Sequence, residues 1–181
     1  MINFADVKYL RIPNGVVKAI SIGGTLVWKS GYLNLVPLSI DTDGSIYNGK
    51  GYKENYRLNS SGVPSALNGA IHSGFIPYTA GGVIRAKGCT VPVSQSGQYV
   101  ACYDANFNCL KSATSSSIAA YAKYGSYVQQ SDGKYLLTVS DLALYLSESY
   151  SIDINNVKYV RISMPSCAAA DFIVTIDEEI N

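Results

Sequence analysis

The sequence predicts an all-β protein: a short N-terminal β-hairpin or meander followed by a jelly-roll β-sandwich with one short helix. Three observations predict this class. Short runs rich in Val, Ile, Tyr and Thr recur along the chain, turn signals separate them, and no long segment with a 3.6-residue apolar period interrupts them. The apolar content of 48% is sufficient for a buried core, which argues against a disordered chain.

Residues 1–30 form a separate unit in this prediction. A β-branched and aromatic run at 7–12 stops at Pro13-Asn14-Gly15, and runs at 16–22 and 25–28 flank Gly23-Gly24, a pair that favours a two-residue hairpin turn. A unit of so few strands is only marginally stable alone. We therefore predict that it docks on the main domain or on another protein, or that it oligomerises. Residues 31–181 would then form the sandwich.

The sandwich is predicted to contain many short strands and a single helix. The strands are predicted at residues 33–40, 52–58, 74–78, 83–87, 98–103, 108–111, 126–130, 135–139, 157–164 and 171–177. Polar loops are predicted at 59–68 and in the serine run at 115–117. The helix is predicted at 140–146 for two reasons. Ser140 is a good N-cap residue, and it is followed by an acidic residue in the first turn and by the helix-forming residues Leu and Ala.

Composition disfavours a nucleic-acid partner and a membrane span. The formal net charge is +1, and charged residues make up 15% of the chain against roughly 25% in typical soluble domains. There is thus no basic field for nucleic acid. No uncharged apolar stretch approaches the ~18 residues of a transmembrane helix. The N-terminus carries Asp6, Lys8 and Arg11 without an apolar h-region, so we expect synthesis in the cytoplasm without a signal peptide.

Catalysis finds little support, and we assign no catalytic residue and expect no enzyme. His72 is the only histidine, and no nucleophile motif accompanies it, so an exposed or structural histidine is favoured. The cysteines show no zinc-ligand spacing. Free buried thiols are the favoured interpretation, and a pair of Cys102 with Cys109 across the turn at 104–108 is the alternative.

The segment that begins at Asp41 and Asp43 invites comparison with a calcium loop. As an EF-hand it fails, because Ile46 stands at the sixth position and Tyr52 at the twelfth. An Asx-type turn is the favoured interpretation. Asp41 and Asp43 are retained as candidate calcium ligands, and no other metal or cofactor is expected.

The 15 tyrosines are the most unusual feature of the composition. Tyrosine offers a large, rigid contact surface with a polar tip, and mixtures of Tyr, Ser, Gly and Asn are typical of binding loops. The alternative, which should hold for most of them, is a half-buried strand residue. The candidate ligand-binding residues are Tyr47, Tyr52, Tyr56, Tyr121, Tyr124 and Tyr127.

Two sequence runs carry a family resemblance. IPNGVVKAISIGGTLVWK at 12–29 and NLVPLSIDTDGSIYNGKGYKENYR at 34–57 resemble the start of tail-associated or minor structural proteins of phages and prophages of gut Firmicutes. The later runs GFIPYTAGGVIRAKG, YVACYDANFNCL and VKYVRISMP resemble the second half of the same pattern, whose strands belong to a jelly roll like those of carbohydrate-binding modules. The chain departs from the pattern at 124–150.

The resemblance implies a non-enzymatic virion structural protein of the tail or particle surface that contributes to host-surface binding. Its partners would be other phage structural proteins, and its location the virion. Because exposed edge strands need pairing, we also expect a homo-oligomer, with a trimer as one option. The alternative function is a lectin-like module that recognises a cell-surface glycan. A glycan-cleaving enzyme is the third and least favoured hypothesis.

Overall fold

A computed structural model describes residues 11–12, 15–16, 19–22, 25–29, 32–92 and 98–180, and these are mostly antiparallel β structure. The beginning of the predicted strand at 7–12, the turn residues Pro13-Asn14 and Gly23-Gly24, and the residues joining the two predicted units at 30–31 lie outside the described residues.

The N-terminal part is a β meander, as predicted. Its strands are β1 (Arg11–Ile12), β2 (Gly15–Val16), β3 (Ala19–Ile22), β4 (Thr25–Lys29) and β5 (Tyr32–Leu33). Strands β1 and β2 pair with each other, and β3, β4 and β5 form a three-stranded antiparallel sheet in that order. Val27 and Leu33 are buried between this sheet and the start of the sandwich, with Leu35 and Leu38 packed against them.

The sandwich consists of two antiparallel sheets. Its strands are β6 (Tyr52–Leu58), β7 (Pro64–Ser73), β8 (Ile76–Pro77), β9 (Ile84–Cys89), β10 (Tyr99–Tyr103), β11 (Cys109–Thr114), β12 (Gly125–Gln129), β13 (Tyr135–Val139), β14 (Tyr159–Met164) and β15 (Ile173–Ile176). The first sheet has the order β11-β10-β14-β7-β6, with β8 also paired to β14, and the second has the order β12-β13-β9-β15.

The chain passes repeatedly from one sheet of the sandwich to the other. It runs from β7 in the first sheet to β9 in the second, returns for β10 and β11, crosses to β12 and β13, and then places β14 and β15 in opposite sheets. The core lies between the sheets, where Val100 and Ile162 of the first sheet pack in one cluster with Ile84, Leu137 and Val174 of the second. The prediction of an all-β sandwich is therefore confirmed.

The helix predicted near residue 140 is present as α2 (Leu142–Tyr150), following a one-turn helix, α1 (Ser115–Ala119). Helix α2 begins two residues later than predicted, and its N-cap is Asp141 rather than Ser140. The loop predicted at the serine run was wrong, because the Thr114 hydroxyl accepts a hydrogen bond from the Ser117 N–H and caps α1. Neither helix has the length and apolar character that crossing a bilayer requires, and no other helix in the described ranges does.

Two further predictions were wrong about local structure. The strand predicted at 33–40 ends at Leu33, and a 3-10 turn, Val36–Leu38, follows, in which Pro37 has no N–H for a sheet hydrogen bond. The loop predicted at 59–68 is shorter, because the Asn59 side chain accepts hydrogen bonds from the N–H groups of Ser61 and Val63 and closes a tight turn. Strand β7, at Pro64–Ser73, follows this turn, and it was missed altogether because no strand was predicted between residues 59 and 73.

Candidate functional site

Three of the candidate tyrosines are buried: Tyr124, which is described below, and Tyr47 and Tyr52. The Tyr47 ring lies 5.4 Å from the His72 ring, and its hydroxyl lies 3.4 Å from Nε2 of that histidine. Tyr52 belongs to the main core cluster between the sheets. Both side chains therefore have little surface left for a ligand.

Tyr56 and Tyr127 are partly exposed but stand apart from the other candidates. Tyr56 lies on the edge strand β6, where the Lys53 ammonium stands 3.7 Å from the ring centroid. Tyr127 stacks on Tyr135 of the neighbouring strand, with 4.9 Å between the ring centroids, and donates its hydroxyl hydrogen to the Val91 carbonyl. Each ring thus makes its own local contacts.

Tyr121 and Tyr124 are brought together with two tyrosines of α2. The ring centroids are 5.7 Å apart between Tyr121 and Tyr124, 5.2 Å between Tyr124 and Tyr145, and 5.6 Å between Tyr145 and Tyr150, and each pair is T-shaped. Edge-to-face contact is a favourable geometry for aromatic pairs. We call these four residues the tyrosine patch.

The tyrosine patch has two exposed members and two buried ones. Tyr121 is 62% exposed and Tyr150 is 39% exposed, whereas Tyr124 and Tyr145 retain 6% and 2% of their surface. The buried rings are part of the main core cluster and contact the exposed rings from beneath. The exposed rings therefore rest on a rigid support.

Hydroxyl contacts fix the support further. Tyr145 Oη lies 2.8 Å from Ser117 Oγ and 3.2 Å from Tyr150 Oη. Burial raises the pKa of the Tyr145 hydroxyl above its ordinary value, so it remains protonated and can donate a hydrogen bond at neutral pH. These contacts join α1, which carries Ser117, to both tyrosines of α2.

Charged side chains surround the patch. Glu148 accepts hydrogen bonds from the Lys123 ammonium and, at 2.7 Å, from the Tyr124 hydroxyl. Both bonds hold the pKa of Glu148 below its ordinary value, and the bond from Lys123 has the larger effect on it. Glu148 is therefore an anion at neutral pH. The Lys111 ammonium stands 3.6 Å from the centroid of the Tyr150 ring. The patch therefore combines exposed aromatic faces with one carboxylate and two ammonium groups.

Sequence reasoning found Tyr121 and Tyr124 but missed Tyr145 and Tyr150. The chain returns to the patch because the N–H groups of residues 140 and 141 both donate to the Tyr124 carbonyl, which fixes the start of α2 beside the loop before β12. Because this contact joins residues that are distant in the chain, no local sequence pattern predicts it. The helical prediction at 140–146 did include Tyr145, without indicating which residues it would meet.

A shallow groove of about 680 Å³ lies along another part of the α2 surface, lined by Ala143, Leu144, Ser147, Asp153 and their neighbours. These helix residues lie on a different face from Tyr145. No aromatic side chain lines the groove. The tyrosine patch is therefore the better candidate for a binding surface.

The candidate calcium ligands lie in a turn. The Asp43 carboxylate accepts hydrogen bonds from the N–H and hydroxyl of Ser45, and these bonds lower its pKa. The Asp41 carboxylate accepts the N–H of Thr42. Within the described ranges, no group of three or more His, Cys, Asp or Glu side chains comes together as a metal site would require.

His72 is a structural residue, although the sequence placed it in a polar stretch. It lies in β7 and is fully buried. Arg161 of β14 donates through Nε to the Ser73 carbonyl at 3.0 Å, and its Nη2 lies 3.0 Å from Nδ1 of His72. Nδ1 of His72 also lies 2.9 Å from the Ser73 carbonyl, so the neutral ring has two tautomers available: Nδ1 accepts from Arg161 in one and donates to the Ser73 carbonyl in the other. Burial and the Arg161 charge lower the pKa of His72 to about 3, so it is neutral.

All four cysteines are free thiols, as the favoured interpretation held, but only Cys89 and Cys102 are buried, whereas Cys109 and Cys167 are partly exposed. Cys102 of β10 stands opposite Lys111, while Cys109 of β11 stands opposite Tyr103. Cys102 belongs to the core between the sheets, and Cys109 packs with Tyr103 in a separate cluster on the other face of the first sheet. The alternative pair of Cys102 with Cys109 is therefore not supported by the register.

Comparison of this chain with protein-family models, with curated proteins and with solved structures gave no match.

Proposed function

We propose that this protein is a non-enzymatic binding protein of a phage particle surface that recognises a host cell-surface glycan through the tyrosine patch. The observation that carries the proposal is the exposure of Tyr121 and Tyr150 on a buried aromatic support. Aromatic side chains held by rigid elements offer a contact surface with little entropy to lose on binding.

The chemistry of the tyrosine patch fits a sugar. The C–H face of a pyranose ring packs on an aromatic face, and its hydroxyls need donors and acceptors at the rim. Lys123 and Glu148 provide a donor and an acceptor beside Tyr121 and Tyr124, and Lys111 provides a donor at Tyr150. An uncharged or an acidic saccharide would meet complementary groups here.

A glycan array followed by calorimetric titration of the best ligand tests this proposal. We expect Tyr121→Ala and Tyr150→Ala each to weaken binding about tenfold or more, which is the effect of losing an anchoring aromatic residue. Tyr56→Ala is the matched control, because Tyr56 is also a partly exposed ring with a lysine ammonium above it. The proposal fails if no glycan binds, or if Tyr56→Ala weakens binding as much as Tyr121→Ala.

The particle-surface setting rests on the sequence resemblance at 12–29 and 34–57 and has its own test. Mass spectrometry of purified particles from the host strain should detect this chain, and the neighbouring genes should encode other tail components. Light scattering after size-exclusion chromatography should give a homo-oligomer. A clean monomer that is missing from purified particles would leave the lectin-like module as the better description.

A further inference from the structure

Cys89 and Cys167 are paired across an antiparallel bridge. Cys89 is the last residue of β9, and Cys167 lies in the segment that connects β14 to β15. An isolated antiparallel β-bridge joins the two residues directly. Residues opposite each other in such a bridge point their side chains to the same face. The two thiols are therefore neighbours, although 77 residues separate them in the chain.

The hydrogen bonds around the bridge identify its type. The Thr90 N–H donates to the Ser166 carbonyl at 3.3 Å, so the bond lies beside the cysteine pair and not between its two members. The Thr90 hydroxyl donates to the same carbonyl at 3.0 Å. Cys89 and Cys167 thus form a non-hydrogen-bonded pair, in which Cα atoms are about 4.5 Å apart. Disulfides span Cα separations of roughly 4.4 to 6.8 Å.

The two cysteines differ in their exposure. Cys89 is buried, and its thiol donates to the Pro165 carbonyl at 3.0 Å. Cys167 is partly exposed. Burial raises the pKa of the Cys167 thiol, and the neighbouring Cys89 thiol contributes to this shift. Cys167 is thus the more exposed of the two cysteines, and Cys89 lies directly opposite it.

We propose that Cys89 and Cys167 form an intramolecular disulfide when the protein enters an oxidising medium, and that both remain thiols in a reducing one. The two S–H bonds break and one S–S bond forms. Two electrons and two protons pass to an external oxidant such as a glutathione disulfide, which is reduced to two thiols. The proposal is independent of the glycan ligand.

The disulfide would fasten the two sheets of the sandwich to each other. It would tie β9 of the second sheet to the connection that leaves β14 of the first sheet. Cross-linking distant positions restricts the unfolded chain, and for a loop of this length we expect the melting temperature to rise by about 5–10 °C. The bond would suit a protein that must persist outside a cell.

The experiment treats the full chain with excess oxidised glutathione at about pH 8.5, where the thiolate fraction of each cysteine is larger than at neutral pH although the pKa of Cys167 is raised. The disulfides are then mapped by mass spectrometry of unreduced peptides. We expect two of the four thiols to disappear, a Cys89–Cys167 peptide pair, and the higher melting temperature. The Cys167→Ser variant should retain three free thiols and show no rise. The Cys109→Ser variant is the matched control, because Cys109 is also partly exposed, and it should form the bond normally.

Three results would overturn the proposal. One is a map in which Cys102 pairs with Cys109. Another is a disulfide that joins two chains. The third is the survival of all four thiols after oxidant has reacted fully with Cys167 in a denatured control. The mapping of the unmodified chain decides among these even if Cys167→Ser folds poorly.

Discussion

At the scale of single residues, the most unusual feature is a buried pair of basic side chains. Arg161 is 4% exposed and His72 is fully buried, and their side chains are in contact. The guanidinium also lies over the rings of Tyr47 and Phe75, at 4.9 and 4.6 Å from their centroids. Backbone carbonyl, imidazole and aromatic faces therefore surround this cation, and the arrangement requires the imidazole to stay neutral.

This requirement predicts a specific loss of stability in mild acid. The folded protein holds the pKa of His72 at about 3, while the unfolded chain has the ordinary value of 6.5. Below the unfolded pKa the unfolded chain binds a proton that the folded protein does not, so the free energy of unfolding falls with the pH. We expect this residue to remove about 1.2 kcal/mol between pH 7 and pH 5.5.

Urea unfolding of the wild type and of His72→Gln at a series of pH values measures this effect. Glutamine stays neutral and can still accept from Arg161, so the variant should lose less stability over that interval. The depressed pKa values of Asp43, Asp104 and Glu148 act with the same sign but at lower pH, nearer their ordinary carboxyl range. If the free energy of unfolding changed with pH equally in the two proteins above pH 5.5, His72 would not titrate as described.

At the scale of elements, the N-terminus of α2 gives different roles to the neighbouring residues Ser140 and Asp141, because only Asp141 caps the helix. Asp141 Oδ1 accepts the N–H of Leu144 at 2.8 Å, which is the N-cap hydrogen bond. We expect Asp141→Ala to lower the free energy of unfolding by about 1 kcal/mol, because the N–H of Leu144 loses its acceptor. Ser140→Ala is the matched control and should change stability by less than about 0.5 kcal/mol. Thermal unfolding followed by circular dichroism measures both, and the reverse order of effects would make Ser140 the cap.

Element boundaries were predictable from the sequence where the signal was local. Strands β6 and β13 have the predicted bounds, because Gly51 and the turn around Gly133 stop the chain on one side of each. Gly51 shows why glycine stands there: its φ is +83°, and an added Cβ would lie 2.0 Å from the Val36 carbonyl oxygen. The whole of β7 was missed, because its residues lie in a stretch that looks polar in sequence and the Asn59 side chain, which closes the preceding turn, gives no periodic signal.

The candidate site was predictable only in part, for the same reason. Tyr121 and Tyr124 lie in a polar stretch that is typical of a binding loop, and this composition identified them. Of these two only Tyr121 is exposed; Tyr124 is buried beneath it, and Tyr47 and Tyr52, which have similar neighbours in sequence, are also covered by the fold. Whether a tyrosine in such a stretch is exposed depends on which element packs over it, and that is decided by contacts between residues distant in the chain.

At the scale of the whole molecule, one buried asparagine joins the N-terminal meander to the sandwich. Asn34 is fully buried, and its Nδ2 donates to the Phe172 carbonyl at 3.1 Å. Its Oδ1 accepts the N–H groups of Val36 and, at 3.0 Å, of Val174 in β15. Its own N–H donates to the Val27 carbonyl in β4. A single side chain and its backbone thus contact both parts.

We expect Asn34→Ala to lower the free energy of unfolding by about 3 kcal/mol, because it leaves two N–H groups and one carbonyl buried without this partner. The variant should also make the meander and the sandwich unfold at different urea concentrations. Trp28, the only tryptophan, lies in β4, so its fluorescence reports on the meander, while far-ultraviolet circular dichroism reports mainly on the sandwich. In the wild type the two signals should change at the same urea concentration.

In Asn34→Ala the fluorescence midpoint should fall below the circular dichroism midpoint, since the meander is too small to be stable once it is released from β15. Asn155→Ala is the control: Asn155 is exposed and its Nδ2 bonds only locally to Asp153, so the variant should behave as the wild type does. Coincident midpoints in Asn34→Ala, together with a large loss of stability, would mean that the meander is part of the cooperative core and that other contacts, such as those of Val27 and Leu33, join the two parts.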